Sequence, residues 1–218
     1  MRNLTILFPA RNEADGLQVV VDMIPTEELR RLGWRHSMLL VDGQSTDGTA
    51  EVARSLGMEV FEQKGEIGKG VGLRQAFEHF LASGDEALVM LDPDGTYDGG
   101  DIPLLLARMD EADYDVVMGS RLRGSMDDGA MGRVNYIGNH VLTWTAVALY
   151  RSFISDLCTG FWAFKREAIA AMHLNSVAFE IEAEMYASSC HNKLRIGEVP
   201  IRYHHRIGTP KLGSIHDG

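Results

Sequence analysis

Cysteine is nearly missing from this chain: Cys158 and Cys190 are the only two in 218 residues. Two are too few for a disulfide framework or a zinc cluster, so a reducing compartment is expected. Positive charge is also short, with 21 Lys and Arg against 31 Asp and Glu and a formal net charge of −10. A general nucleic-acid binder needs a basic face to neutralise phosphates, so this balance argues against one. It argues equally against a uniformly polybasic membrane protein. Long hydrophobic runs are lacking too. The longest charge-poor stretch, Val134 to Tyr150, carries Asn135, Asn139 and His140 and falls short of the roughly 20 apolar residues that span a bilayer. The N-terminal MRNLTILFPARNE has only a short apolar run and reads as a first strand, not a signal peptide.

What is present is a core-forming chain of 45% hydrophobic residues, enough for a single domain over 1–218 with no repeat or linker inside it. Strand and helix patterns alternate. Leu4–Phe8, Ser37–Val41, Glu59–Phe61, Ala87–Leu91 and Val116–Gly119 read as strands, and Leu17–Leu32, Asp47–Leu56, Gly70–Ser83 and Ile102–Met109 as helices between them. The second half breaks the rhythm, with helices over Val134–Tyr150 and Ala178–Ser188 and strands over Gly160–Phe164 and Arg195–Tyr203. This order predicts an α/β protein, a single Rossmann-like, mostly parallel sheet with helices on both faces.

The apolar run Leu88–Leu91 ends in Asp92-Pro93-Asp94-Gly95. Carboxylates at i and i+2 of an extended segment point to one face, where they can converge on one hard divalent cation. A strand followed by an Asp-Gly turn is the plainer reading. Other polar clusters favour the first: Pro9-Ala10-Arg11-Asn12-Glu13, Asp42 to Thr49 and Gly119-Ser120-Arg121 also follow strands. In an open α/β sheet such ends line one crevice. The segment GEIGKG around Lys69 lacks the GxxxxGK[ST] spacing, which excludes a P-loop ATPase.

The ordered set FPARNE, VDGQSTDGT, LDPDGTY, GSR, DLCTGFWAFKRE, FEIEAE and EVPIRYHHRIGTPKL resembles the family 2 glycosyltransferases of GT-A fold, most closely the dolichyl-phosphate mannose synthase type of polyprenyl-phosphate sugar synthase. The resemblance runs over nearly the whole chain. It implies a nucleotide-sugar-binding part over about 1–120 and an acceptor-binding part over about 121–218. It places Pro9, Arg11 and Glu13 on the nucleotide and Asp42 on the base, where a carboxylate accepts from an N–H of uracil or guanine. Lys69 reaches the donor. Asp92 and Asp94 hold Mg²⁺ or Mn²⁺, and Thr96 stands where the family often has a stronger ligand. Arg121 and Arg133 grip an acceptor phosphate, with Arg206 and Lys211 on a basic loop, Tyr203 to Leu212, expected to be mobile until phosphate arrives.

The implied reaction is inverting, metal-dependent transfer of a hexose from a GDP- or UDP-linked donor to a polyprenyl phosphate. An anionic phosphate oxygen attacks without a strong base. A hydroxyl acceptor would instead need a carboxylate, with Asp156, Glu180 and Glu182 as candidates. Glu180 and Glu182 also suit an acidic first helical turn. A non-catalytic nucleotide-sugar-binding module is a further alternative. His204 and His205 are unusual additions of which one could face the metal. Val134–Tyr150, with Trp144 and Tyr150, suits either interfacial attachment or, the favoured reading, packing against the sheet. A cytoplasmic protein is expected, with peripheral contact at the cytoplasmic face of a membrane left open and no nucleic-acid partner.

Overall fold

The computed structural model describes residues 1–208; Lys211 and the rest of the expected basic loop beyond Gly208 lie outside them. Seven strands, β1 (Arg2–Ala10), β2 (Trp34–Asp42), β3 (Glu59–Glu62), β4 (Ala87–Met90), β5 (Val116–Met126), β6 (Trp162–Lys165) and β7 (Ile196–Tyr203), form one sheet in the order β3-β2-β1-β4-β6-β5-β7. β6 runs antiparallel to both β4 and β5, and the other neighbours are parallel. The expected mostly parallel α/β sheet is the one observed.

Both faces are covered, and the strand sequences show why. Leu4, Ile6 and Phe8 of β1 point to one face and Leu7 to the other; Ala87 and Val89 of β4 oppose Leu88 and Met90 in the same way. Such strands read as continuous apolar runs because alternate side chains enter different cores. The first core is closed by α1 (Ala14–Asp22), α2 (Thr26–Arg31), α3 (Thr49–Ser55) and α5 (Ile102–Glu111), through Leu17, Leu29, Ala53 and Leu105. The second is closed by α4 (Lys69–Ser83), α7 (Arg166–Ala171) and α8 (Ile181–His191), through Leu73, Phe77, Ile169 and Met185.

Two expectations need correction. The single helix over Leu17–Leu32 is two helices, α1 and α2, separated at Met23–Pro25. Pro25 donates no hydrogen bond and biases Ile24 away from helix. The helix α6 (Arg133–Tyr150) forms as expected but does not pack into the core along its length: of its residues only Thr143 and Ala146 are buried. The sheet face it would have covered is already occupied by α4, α7 and α8, so Val134, Ile137, Val141, Trp144 and Leu149 stay exposed.

The middle of β5 is tied to the segment before β6 by a buried ion pair. Arg121 donates its backbone N–H (2.9 Å), Nε (2.7 Å) and Nη2 (2.6 Å) to the carboxylate of Asp156, which is 0% exposed. Removing one partner of such a pair leaves an uncompensated buried charge. Asp156→Ala should therefore cost about 3–5 kcal/mol of unfolding free energy, whereas replacing both charges in Arg121→Met/Asp156→Leu should recover most of it. Urea unfolding of the three proteins tests this; a single variant as stable as the double would show that the pair is not desolvated.

Candidate active site

The carboxyl ends of β1 and β2 are laced to each other before any ligand is considered. Asn12 donates its backbone N–H to Ser45 Oγ (2.9 Å) and accepts from the Thr46 N–H through Oδ1 (2.7 Å). Glu13 N–H donates to Thr49 Oγ1 (2.9 Å), and Asp47 accepts from the N–H groups of Ala14 (3.2 Å) and Thr49 (3.0 Å). Asp47 thus braces the starts of α1 and α3 together, using the side-chain oxygen that suits a helix entry. Asp42 is buried at the end of β2 and accepts from Ser45 N–H (3.1 Å). Pro9 is half-buried and Arg11 exposed beside it.

At β4 the strand stops at Met90, and Asp92 and Asp94 sit in the bend that follows, with Gly95 at φ +81°. The extended geometry expected for them does not hold. The chain turns between them, and each carboxylate meets a different cation. Asp92 Oδ1 accepts from Lys69 Nζ (2.8 Å). Asp94 Oδ2 accepts from Arg206, and its Oδ1 accepts from the backbone N–H (3.0 Å) and hydroxyl (2.5 Å) of Thr96. Thr96 is therefore a buried donor to Asp94 rather than an open ligand position.

Lys69 reaches Asp92 because α4 starts unusually close to the segment before α8. Gly70 N–H donates to Val177 O (3.0 Å), and a Cβ on Gly68 or Gly70 would collide with the carbonyl oxygens of Val177 and Ser176. Glycine on both sides of Lys69 is what permits that approach. The same docking brings in Glu182, whose Oε1 lies 2.7 Å from Lys69 Nζ. Burial alone would lower the Lys69 pKa, but the charges of Asp92 and Glu182 outweigh it and hold the ammonium above its ordinary range. Burial pushes Glu182 upward, opposed by Lys69.

The segment after β7 is docked, not loose. Tyr203 bridges to Tyr97, His204 N–H donates to Thr96 O (2.8 Å), and Ile207 N–H donates to Asp94 O (2.8 Å). Arg206 spans Asp94 and Glu13. The expectation of a mobile loop is corrected for Tyr203 to Gly208, because carboxylates of the protein draw Arg206 inward without phosphate. His204 does not face this centre: it lies 3.0 Å from Asp127 and 3.6 Å from Asp98. His205 is exposed.

The carboxylates offered as bases are placed elsewhere or committed. Asp156 is sealed with Arg121, which leaves no open oxygen to take a proton and places the Arg121 guanidinium in an ion pair, 5.4 Å from the Tyr203 ring. Glu180 is exposed, and the N–H groups of Ala178 and Val177 hold its carboxyl below its ordinary range. It closes a turn before α8, and no described hydrogen bond or ion pair joins it to Lys69, Asp92 or Asp94. Arg133 is exposed at the first turn of α6, and no hydrogen bond or ion pair links it to Asp92 or Asp94 among the described residues. Of the two glutamates offered together, Glu182 is the one that turns inward, and its buried neighbours at i+3 and i+4, Met185 and Tyr186, are the signal that this register of α8 faces the core. Sequence reasoning missed Tyr97, whose hydroxyl accepts from Gly160 N–H (2.6 Å) and fixes the glycine that lies against Asp92.

Among the described residues no three His, Cys, Asp or Glu side chains form a complete metal cage. Mg²⁺ and Mn²⁺ do not need one: such ions are commonly held by one or two carboxylates plus substrate phosphates. The oxygen donors of Asp92 and Asp94, each already opposed by a cation, fit that requirement.

Residues 5–172 match the family described as Glycosyl transferase family 2. Among curated proteins of Haloferax volcanii, the chain is 35% identical to Glycosyltransferase AglJ over 98% of its length and 67% of that protein's. It is 34% identical to the Low-salt glycan biosynthesis hexosyltransferase Agl6, spanning 99% of this chain and about half (51%) of that one. It is 32% identical to a Dolichyl-phosphate hexose transferase, over 99% of this chain and 89% of the relative. Glucosyl-3-phosphoglycerate synthase from Mycobacterium tuberculosis in complex with phosphoglyceric acid superposes with a TM-score of 0.74 at 19% identity, covering 97% of this chain and 73% of that one. The same enzyme with Mn²⁺ and uridine-diphosphate-glucose gives 0.72 at 18%, over 97% and 72%. At that identity the likeness is one of fold, the GT-A arrangement. With the family match over most of its length and these relatives spanning nearly all of it, the chain belongs to glycosyl transferase family 2.

Proposed function

We propose that this glycosyltransferase moves a hexose from a GDP- or UDP-linked donor to a polyprenyl phosphate by a single in-line displacement, with inversion at the anomeric carbon. The observation that carries the acceptor choice is the state of the candidate bases. Asp156 is locked to Arg121, Glu180 closes a turn and Glu182 holds Lys69. A hydroxyl acceptor would need one of them to take its proton, whereas a phosphate oxygen is already anionic. The 32% identical relative named for dolichyl phosphate supports the same choice.

In this reading residues of about 1–120 hold the donor. Pro9, Arg11 and Glu13 line its nucleotide side, and Asp42 accepts from the base. Asp92 and Asp94 hold Mg²⁺ or Mn²⁺, which when bound stabilises the charge that develops on the departing diphosphate. Lys69 and Arg206 supply fixed positive charge at the same place. Residues of about 121–218 take the acceptor, with Arg133 at the exposed start of α6 and Arg206 and Lys211 as phosphate partners, while Arg121, first expected among them, stays committed to Asp156. Guanidinium groups suit phosphate because they donate in pairs and remain charged.

EDTA should abolish hexose transfer to polyprenyl phosphate and added Mn²⁺ or Mg²⁺ restore it. Asp92→Asn and Asp94→Asn should each lower turnover by at least about 10²-fold, the usual loss when transition-state charge loses its stabiliser. A panel of labelled GDP- and UDP-sugars with both acceptor classes decides the rest. Transfer to a polar hydroxyl acceptor, with lipid phosphates inert, would overturn the proposal.

The exposed stripe of α6 supports peripheral contact with a membrane. Val134, Ile137, Val141 and Trp144 recur at helical spacing, Trp144 is 68% exposed, and Arg133 and Arg151 flank the helix. Apolar and tryptophan side chains with basic ends suit the headgroup boundary of an anionic bilayer. No helix of the described residues is long and apolar enough to cross a membrane. The protein should float with vesicles containing anionic lipid, and Trp144→Glu/Leu149→Glu should lose that partition at least about tenfold while leaving stability within roughly 0.5 kcal/mol, as for surface changes. A protein that ignores vesicles but sediments as a dimer, and becomes a monomer in the variant, would assign the stripe to self-association instead.

A further inference from the structure

Lys69 carries more opposing charge than a lysine paired to one metal ligand requires. Its ammonium lies 2.8 Å from Asp92 Oδ1 and 2.7 Å from Glu182 Oε1, with the three side chains 13%, 25% and 9% exposed. One buried cation shared between two carboxylates presents a choice: the lysine can lean on either. We propose that Glu182 is a positioning residue that holds Lys69 so that Asp92 can be given up to a divalent cation. The inference rests on the reading of Asp92 as a metal ligand.

Lys69 and an entering divalent cation would compete for the same Asp92 oxygen. A cation entering at Asp92 must share or displace the ammonium already there. If Asp92 were the only carboxylate beside Lys69, that step would strand a buried positive charge, which is costly. Glu182 removes the difficulty, because the ammonium keeps a full counter-charge when Asp92 turns away. The backbone keeps Lys69 within reach of both: Gly70 N–H to Val177 O (3.0 Å) fixes the start of α4 against the segment that leads into α8, and Glu182 stands in the first turn of α8. Glu182 makes no described hydrogen bond to Asp92, and beside the direct repulsion between the two carboxylates its one ion-pair contact among the described residues is with Lys69, the route proposed for its effect. Groups one shell behind a metal ligand typically change metal affinity by about 10–100-fold when removed.

Three variants of the full chain separate this role from a merely structural one. Glu182→Gln keeps the shape but removes the charge, so Lys69 should cling to Asp92 and Mn²⁺ affinity should fall about tenfold. Lys69→Met removes the competitor and should raise Mn²⁺ affinity. In Lys69→Met/Glu182→Gln, which buries neither charge, the effect of Glu182→Gln should vanish, since a coupling carried by Lys69 has no carrier left. The measurement is calorimetric titration of Mn²⁺ into protein loaded with UDP or GDP, with thermal melting alongside. In transfer assays saturating Mn²⁺ should restore the turnover of Glu182→Gln. If Mn²⁺ binds the wild type, but Glu182→Gln changes only the melting temperature, the inference fails and the metal reading stands. The same holds if Glu182→Gln weakens Mn²⁺ equally with and without Lys69. If the loaded wild type takes up no Mn²⁺, the metal reading fails and the inference goes with it.

Discussion

Carboxylates crowded at the carboxyl ends of β1 and β4, and the two cations that hold them there, are the constraint on which the site depends. Glu13, the Asp92–Asp94 pair and Glu182 come from three separate places in the chain, and Lys69 and Arg206 each bridge two of the four carboxylates. Like charges at such distances in a partly buried site repel by several kcal/mol unless opposite charges stand between them. Each bridging cation therefore fixes more than its own side chain. Lys69 fixes the approach of α4 to α8, and Arg206 fixes the segment after β7 against the bend after β4.

The same arrangement accounts for how a glycosyl donor would be received. A nucleoside diphosphate brings negative charge to a place where the protein has matched its own carboxylates against its own cations, and a divalent cation adds positive charge beside them. The cations can turn from carboxylate to phosphate without being newly buried, so little reorganisation is needed at the moment of reaction. The exposed apolar stripe of α6 and the commitment of each candidate base agree with a lipid-linked, already ionised acceptor. Both features follow from packing: α4, α7 and α8 occupy the sheet face that α6 would otherwise cover, and the segment before β6 delivers Asp156 to Arg121.

Much of the fold was legible because its signals are local. Continuous apolar runs in β1, β2 and β4 can be read as buried strands, since side-chain alternation needs no knowledge of what lies opposite. The position of the crevice followed from polar residues at the strand ends. Helix ends were less legible where a single residue overrides a pattern, as Pro25 does between α1 and α2. The site was legible in its members and not in their pairings. Asp92 and Asp94 were singled out from their spacing as strand residues, yet β4 stops at Met90 and the chain bends after it.

By itself the sequence determined the mostly parallel sheet and the family, and it singled out the acidic pair, because each rests on periodicity, turn chemistry or ordered motifs within a few residues. Only the tertiary structure decided which charge meets which. Lys69 and Glu182 are separated by about half of the chain, Arg206 and Glu13 by nearly all of it, and Arg121 meets Asp156 only after β6 inserts beside β5. Glu180 and Glu182 are two residues apart and chemically identical, but one faces backbone N–H groups in water and the other a buried ammonium. That difference is a matter of which way a helix turns against its neighbours. Burial, which sets the strength of every one of these ion pairs, exists only once the chain has folded.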